Sequence, residues 1–388
     1  MTTMHSIYHY VLSFAGAVLF RNPSRNIFVL GVTGTKGKST TIEIINSILE
    51  VTGKKTALIS SIRCKVGEES ETNTTGNTMP GRFAIQKFLR RAVNSNCDYA
   101  LVEVTSQGIL QYRHRFVNWG GAMFTNLAPE HIEAHGTFEK YRDSKVEFFK
   151  YVIKKNAKAT FFVNKDDGNT KYFMDAAKGG NVLEYSASNI TTELAGDFNK
   201  YNIGAAVSFC ESQGINKETI KKAVTGFSSV PGRMEYVQKE PFSVVIDYAH
   251  TPDSLRKVYS YLKTNLGKNR RMICVLGSAG GGRDKWKRPE MGKIAAEYCN
   301  EIILTDEDPF DENPEEIIKD LKSGILSTNF IANTYEILDR REALEKAVSL
   351  AEAGDTIIAT GKGSEEYIRV SGGRRMPWNE RKVLEELL

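Results

Sequence analysis

Residues 31–40 read Gly31-Val32-Thr33-Gly34-Thr35-Lys36-Gly37-Lys38-Ser39-Thr40, and no other stretch constrains the chain as strongly. An apolar run, Ile27-Phe28-Val29-Leu30, precedes it and reads as a buried strand. In residues 41–49, which follow it, Ile42, Ile45 and Leu49, with Ile44 and Ile48, recur at helical spacing. A chain that leaves a strand, turns through close glycines and enters a helix aims backbone N–H groups and the helix N-terminus at one point, which is a trap for anions. In this setting Lys38 would neutralise β/γ-phosphate charge and the Ser39 hydroxyl would ligate Mg²⁺, with Gly34, Thr35, Lys36, Gly37 and Thr40 lining the loop. The spacing departs from the usual one, because five residues rather than four separate Gly31 from Gly37-Lys38. A plain glycine turn is the alternative. Gly-Lys-Ser between strand and helix favours nucleotide binding.

Composition sets the frame for this motif. At 388 residues the chain can build two or three domains with full cores. A net charge of +5, dispersed along the sequence, argues against nucleic acid as a partner and suits a protein that handles small anions. The five cysteines, Cys64, Cys97, Cys210, Cys274 and Cys299, show no Cys-x-x-Cys pair, which excludes the usual zinc spacings and suggests a reducing cytoplasm. Residues 7–20, from Ile7 to Phe20, are apolar but shorter than the ~20 residues that span a bilayer, and they lack a basic leader. A helix packed on the protein's own core is the favoured reading. A helix docked on a membrane surface, with Arg21 and Arg25 at its edge, is the other.

Beyond the loop, short β-rich runs at 56–60, 99–104, 121–125 and 160–163 alternate with helical periodicity at 83–93 and 141–152. Alternation of this kind predicts a mostly parallel sheet covered on both faces. Residues 199–226 read as helical, and Val230-Pro231-Gly232-Arg233 reads as a domain junction. A second α/β series starts at 242–247 and continues through strands at 272–276, 301–305 and 356–360, with helices at 252–263 and 340–350. The expected fold class is therefore α/β. A P-loop ATPase-type central domain (26–231) is preceded by a helical segment (1–25) and followed by a smaller, Rossmann-like C-terminal domain (232–388).

Six further motifs follow the loop in order. They are Glu103-Val104-Thr105-Ser106-Gln107-Gly108, Thr125-Asn126-Leu127-Ala128-Pro129-Glu130-His131, Tyr141-Arg142-Asp143-Ser144-Lys145, Phe198-Asn199-Lys200-Tyr201-Asn202, Gly232-Arg233-Met234-Glu235 and Asp247-Tyr248-Ala249-His250-Thr251-Pro252. Together they resemble the Mur ligases, ATP-dependent enzymes that add amino acids to the muramyl peptide of peptidoglycan. The likeness is nearest to the branch that joins lysine or meso-diaminopimelate to D-glutamate, and it runs from about Asn26 to the C-terminus. Arg283-Asp284-Lys285 with Lys287-Arg288-Pro289 points to the same branch.

The resemblance implies a reaction and a cast of residues. A carboxylate attacks the γ-phosphate of ATP to give an acyl phosphate, and an incoming amine then displaces phosphate. It implies that Ser39 and Glu103 hold one Mg²⁺, that His131 helps hold a second, and that Lys145 carries a CO₂-derived carbamate supporting the metals. Lys38, Glu103, His131 and Lys145 are then the catalytic set. Taken alone, Lys145 would be a solvated helix-face lysine and His131 a loop residue. Asn199 and Asn202 match the segment that contacts adenine. Arg233 matches an arginine that reaches the ATP phosphates on domain closure, and Asp247 and His250 match a nucleotide-contacting strand end. Thr78 and Pro80 lie in a loop, 72–80, that resembles the acceptor-binding loop, and Thr105 and Ser106 belong with it. Arg288, Asp308, Gly361 and Glu365 match positions that meet the incoming amino acid. The implied partners are a muramyl-peptide acceptor and a free amino acid.

The match also has gaps. The family's uridine-binding domain has no counterpart in the roughly 25 residues ahead of the first strand. This suggests an acceptor without UDP, or a membrane contact or partner protein in its place, on the cytoplasmic side. Gln107 and Ser364 replace two family histidines. Where diaminopimelate enzymes resemble Asp-Asn-Pro-Arg, this chain has Glu307-Asp308-Pro309-Phe310, and Phe310 cannot grip a carboxylate. Asp308 and Glu365 would suit a distal ammonium, favouring lysine. Arg288 and Arg374-Arg375 keep diaminopimelate open. Alternatives are a ligase for another poly-amino-acid or lipid-linked substrate, and a catalytically inactive, nucleotide-gated binding module.

Overall fold

A computed structural model describes residues 3–73, 77–130, 132–329 and 333–388, with side chains from Ser6 onward. The chain divides into two compact units, 1–228 and 229–388. In the first, eight strands form one sheet: β1 (Phe28–Thr33), β2 (Thr56–Ile59), β3 (Arg63–Val66), β4 (Glu69–Thr72), β5 (Tyr99–Glu103), β6 (Gly121–Phe124), β7 (Thr160–Asn164) and β8 (Asn181–Tyr185). The order is β4-β3-β2-β5-β1-β6-β7-β8. All pairings from β2 to β8 are parallel, and only the edge hairpins β2–β3 and β3–β4 are antiparallel. Central β1 is buried on both faces. Val29 packs with Val102, Trp119, Phe124 and Phe148 on one side, while Leu30 and Val32 pack with Ile44, Leu101, Phe162 and Phe209 on the other.

That packing explains the unusual loop spacing. A Cβ on Gly31 would lie 2.4 Å from the Phe148 ring and 2.9 Å from Trp119, so Gly31 is a packing residue of β1 and the loop proper begins at Gly34.

Several elements differ from expectation. Strands β3 and β4 carry no clear sequence signal, because they have four residues each, mostly polar, and β4 is exposed throughout. The helical stretch 199–226 is two helices, Phe198–Ser212 and Lys217–Thr225, separated at Gly214 (φ 81°). The N-terminal segment is not a separate piece. Helix α1 (Thr3–Leu19) belongs to the first unit, where Ser13 Oγ donates to Tyr112 O (2.9 Å) and Arg90 donates twice to Phe20 O (3.0 and 2.8 Å).

In the second unit, β9 (Glu235–Gln238), β10 (Ser243–Asp247), β11 (Met272–Leu276), β12 (Glu301–Leu304), β13 (Asn333–Glu336) and β14 (Thr356–Thr360) form a sheet ordered β13-β12-β11-β14-β10-β9. Only β9 is antiparallel. A small hairpin, β15 (Tyr367–Arg369) with β16 (Arg375–Pro377), stands outside it. Because β14 returns between β10 and β11, the carboxyl ends of these three strands converge, the place where ligands bind in doubly wound sheets.

The cysteines require a correction. Cys274 in β11 and Cys299 at the end of helix Lys287–Tyr298 form a disulfide with Cα atoms 6.1 Å apart, whereas Cys64, Cys97 and Cys210 are free thiols. A pair 25 residues apart meets because one helix carries the chain back beside the strand, which spacing alone does not show. The inference of a reducing compartment from cysteine usage is not supported by this pairing.

Candidate active site

The phosphate loop is built as its sequence requires. Gly37 sits at φ 83° as the cap of helix α2 (Lys38–Val51), and a Cβ there would lie 2.2 Å from Asn202 Oδ1. Only glycine combines that backbone with so close a neighbour. Thr125-Asn126, at the end of β6, brace the loop from the side. Thr35 N donates to Asn126 O (2.7 Å), Lys36 N to Asn126 Oδ1 (3.0 Å), and Thr125 Oγ1 to Lys36 O (2.8 Å). Asn126 belongs to the Thr125–His131 motif, but the sequence alone does not show this bracing role.

Three lysines gather at the loop. Lys38 Nζ donates to the carbonyls of Gly34 (3.1 Å) and Thr35 (2.8 Å), and Lys36 pairs with Glu130 at 3.0 Å. Lys145, on helix Phe138–Lys155, is 2% exposed and donates to Gly34 O at 2.8 Å. It is therefore not a helix-surface lysine. Burial pushes its pKa well below the ordinary value and Lys38 adds to the effect, while Glu130 and Glu103 oppose it. A buried amine biased toward its neutral form is the species that reacts with CO₂.

Glu103 ends β5 opposite Val32 of β1 and is 1% exposed, and the Ser39 hydroxyl meets Ser61 Oγ at 2.9 Å. Among the described residues no group of three or more His, Cys, Asp or Glu side chains is arranged to hold a metal ion. His131 lies outside the described residues. Hydroxyl and carboxylate are nonetheless the hard oxygen donors Mg²⁺ takes, and a carbamate on Lys145 would add another.

Other residues of the first unit fall in different places. Asn199 and Asn202 are buried and bonded to each other (2.7 Å), with Thr41 Oγ1 reaching Asn202 Oδ1 at 3.4 Å, so they support the loop from behind. Thr40 is buried in the first turn of α2. Thr105 caps the short helix Ser106–Leu110, and Ser106 Oγ meets His135 Nε2 at 3.1 Å. Pro80 is buried and Thr78 half-buried, while residues 74–76 of the same loop lie outside the described ones.

The second unit has its own cluster at the strand ends. Asp247 accepts from Met234 N (2.8 Å) and Ala249 N (2.7 Å), fixing the turn that carries His250, whose carbonyl accepts from Lys287 Nζ (3.0 Å). Arg233 stacks on Tyr248 at 4.4 Å, and Tyr248 OH donates to Glu365 at 3.3 Å. Gly361 N donates to Asp247 O at 3.1 Å, tying the loop after β14 to the end of β10.

The residues expected to meet the incoming amino acid have internal partners here. Arg288 is 1% exposed, with Asp320 and Glu312 each 3.0 Å from its guanidinium. It is a buried arginine held between two carboxylates, with its Nε left without a hydrogen-bond partner among the described residues. Asp308 and Glu365 are likewise occupied, because fully buried Lys362 pairs with them at 2.8 and 2.7 Å. Burial works against the Lys362 ammonium, yet Glu365 and Asp308 hold its pKa above the ordinary lysine value. A substrate ammonium would have to displace this internal one. Nearby carboxyls are also less anionic than usual, since burial pushes Glu307 up to about 7 and Asp306 up to about 6.

Two arginines flank Phe310, and one of them, Arg369, also lies 3.7 Å from Asp308. Arg283 and Arg369 stand 4.9 and 5.4 Å from the Phe310 ring centre, and Arg375 stands 4.6 Å from Tyr367. Arg283 and Arg375 are exposed and Arg369 is half-buried. Arg369 carried no signal in the sequence, being one arginine on a three-residue strand.

Comparison with known proteins follows this geometry. The Mur ligase middle domain matches residues 32–226 and the Mur ligase glutamate ligase domain matches 232–363. A UDP-N-acetylmuramoyl-L-alanyl-D-glutamate–2,6-diaminopimelate ligase of Geobacillus kaustophilus is 33% identical over 94% of this chain and 79% of its own length. A protein with the same description from Aquifex aeolicus is 34% identical over 95% of this chain and 79% of its own. A solved structure described as a UDP-N-acetylmuramoyl-L-alanyl-D-glutamate–2,6-diaminopimelate ligase superposes with TM-score 0.61 at 27% identity, covering 93% of this chain and 78% of that one. Folylpolyglutamate synthase of Mycobacterium tuberculosis, at 15% identity and TM-score 0.71 over 90% of this chain and 92% of its own, shares the fold alone.

Proposed function

The chain belongs to the Mur ligase family and is an ATP-dependent amide-bond ligase of peptidoglycan synthesis, and from that premise we propose how its residues divide the reaction. The acceptor carboxylate attacks the γ-phosphorus of ATP and releases ADP. The amine of the incoming amino acid then attacks the acyl carbon, and phosphate leaves with the former carboxylate oxygen. Lys38, with the N–H groups at the start of helix α2, stabilises charge on the β/γ-phosphates as the first bond breaks. Ser39, Glu103 and a carbamate on Lys145 would hold Mg²⁺, with His131 toward a second, and the metal would neutralise phosphate charge. The observation that carries this reading is Lys145, buried and deprotonation-prone against the loop carbonyl of Gly34.

Asn199 and Asn202 hold the loop in shape, while Asp247, His250 and Arg233 serve the nucleotide in the second unit. Thr78, Pro80, Thr105 and Ser106 face the acceptor peptide. The reaction belongs on the cytoplasmic side, where ATP is supplied.

For the amino acid, the occupied Asp308 and Glu365 and the arginines around Phe310 favour a distal carboxylate over a distal ammonium. Diaminopimelate has such a carboxylate and lysine does not. Gly361 and the Tyr248–Glu365 pair shape the same corner. The experiment measures ADP release with diaminopimelate or lysine against UDP-linked, lipid-linked and free muramyl dipeptides. Diaminopimelate should be preferred, and Arg369→Gln should lower its kcat/KM by about tenfold to a hundredfold while sparing any slow reaction with lysine. The residues assigned to the acceptor, Thr78, Pro80, Thr105 and Ser106, meet its peptide end, so UDP-linked and UDP-free acceptors should differ by less than about tenfold. Preference for lysine would refute the arginine assignment. ADP release indifferent to every amino acid would favour a nucleotide-gated binding module instead.

A further inference from the structure

Helix α1 carries an outward face that its own fold leaves largely exposed, with Phe14 meeting a neighbouring ring, that of Phe116, edge-on at 5.4 Å. Its inner face is Ser13, Gly16 and Ala17, which are buried, and Gly16 faces the backbone of Arg82 at the start of helix α3 (Arg82–Asn94). On the opposite side Ile7, Val11, Phe14 and Val18 follow the i, i+4, i+7, i+11 spacing of one helical stripe and are 53–60% exposed. Tyr8 and Leu19 widen the stripe, at 58% and 65% exposed. Of the sixteen exposed large apolar side chains among the described residues, seven lie on this helix. Single exposed apolar residues are ordinary, but a contiguous stripe marks a contact surface.

Charge indicates what covers it. No Asp or Glu occurs before Glu43, so the helix and the turn after it are free of acidic residues. Arg21 and Arg25 are exposed just beyond its C-terminal end, and Arg90 caps the carbonyls of Phe20 and Arg21. Arg115 lies 5.7 Å from the Tyr10 ring, and Arg82 contacts His9. An apolar stripe bordered by these cations complements a bilayer surface, with acyl chains for the stripe and anionic headgroups for the arginines. No helix among the described residues is long and apolar enough to cross a membrane, so the contact is with one leaflet.

We propose that the outer face of α1 seats the protein on an anionic membrane surface. This deepens the functional reading, since it would bring the enzyme to acceptors carried on lipid, and it rests on that reading only for its purpose.

The test is co-sedimentation of the full chain with vesicles of phosphatidylcholine, with and without phosphatidylglycerol, alongside ligation of a soluble acceptor. Binding should require phosphatidylglycerol and weaken with salt. Val11→Asp with Val18→Asp should lower partitioning by at least about tenfold, and Arg21→Glu with Arg25→Glu by about tenfold, leaving ligation of the soluble acceptor unchanged. Failure of the wild-type chain to bind either vesicle overturns the proposal, as does binding indifferent to these substitutions. A dimer in solution that Val11→Asp with Val18→Asp converts to monomer would assign the face to a second copy and also overturn it. Intact ligation in those cases leaves the catalytic reading standing, whereas vesicle binding without ligation would count against that reading alone.

Discussion

Lys145→Ala is expected to lower kcat by about a hundredfold or more, the loss seen when a preorganised electrostatic group is removed from a phosphoryl-transfer site. The side chain is buried against Gly34 O, and its pKa is depressed by burial and by Lys38. An ammonium there is held at a cost, so removing it should disturb the fold little, and the melting temperature should move by only about a few degrees. If the working species is a carbamate, acetate or formate added to Lys145→Ala should restore part of the rate, because a small carboxylate fits the space vacated by the side chain and supplies the missing anionic oxygens. Rescue separates an anionic role from a structural one, which a soluble carboxylate could not replace. Turnover of Lys145→Ala equal to wild type would remove Lys145 from the site.

A comparably large effect on stability is expected in the second unit. Arg340 and Glu380 are 1% and 0% exposed and share two bonds, Nε to Oε2 at 2.9 Å and Nη2 to Oε1 at 2.5 Å. The guanidinium also donates to Thr360 O (2.8 Å) and Asp306 O (3.0 Å), and Trp378 Nε1 donates to Glu380 Oε2 (2.7 Å). One ion pair thus ties helices Arg340–Leu350 and Glu380–Leu387 to the end of β14, directly before Gly361. Arg340→Met leaves the Glu380 carboxylate buried without its cation and should cost about 3–5 kcal/mol in urea unfolding. Arg340→Met with Glu380→Leu should recover much of that, because no uncompensated charge remains. A single-variant loss below about 1 kcal/mol would mean that water reaches the pair.

What the sequence revealed of this molecule followed from local pattern. The strand–loop–helix at 28–51 was legible because glycine spacing and helical periodicity are both short-range signals, and the alternating series of both units was legible for the same reason. The reading failed where a residue's role depends on a partner far along the chain. Gly31 looked like a loop glycine, but the rings of Phe148 and Trp119 decide its place. Arg288 reads as a substrate ligand, and nothing local shows that Glu312 and Asp320 lie against it. Asp308 and Glu365 looked open to an ammonium, but Lys362 already supplies one. Lys145 was legible as a motif residue, whereas its burial was not. Edge strand β4 lacks apolar alternation because it is exposed throughout, and its neighbour β3 is four residues long with two basic side chains.

The central claim is that the acceptor carboxylate is activated by direct attack on the γ-phosphate. It is tested most directly by a muramyl dipeptide whose reacting D-glutamate carboxylate carries ¹⁸O at both oxygens, incubated with the enzyme, ATP, Mg²⁺ and diaminopimelate, with mass analysis of the released phosphate. The carboxylate oxygen that bonds to phosphorus leaves with it when the amine displaces phosphate, so one ¹⁸O per amide formed should appear in inorganic phosphate. Phosphate free of ¹⁸O while amide accumulates would contradict the account.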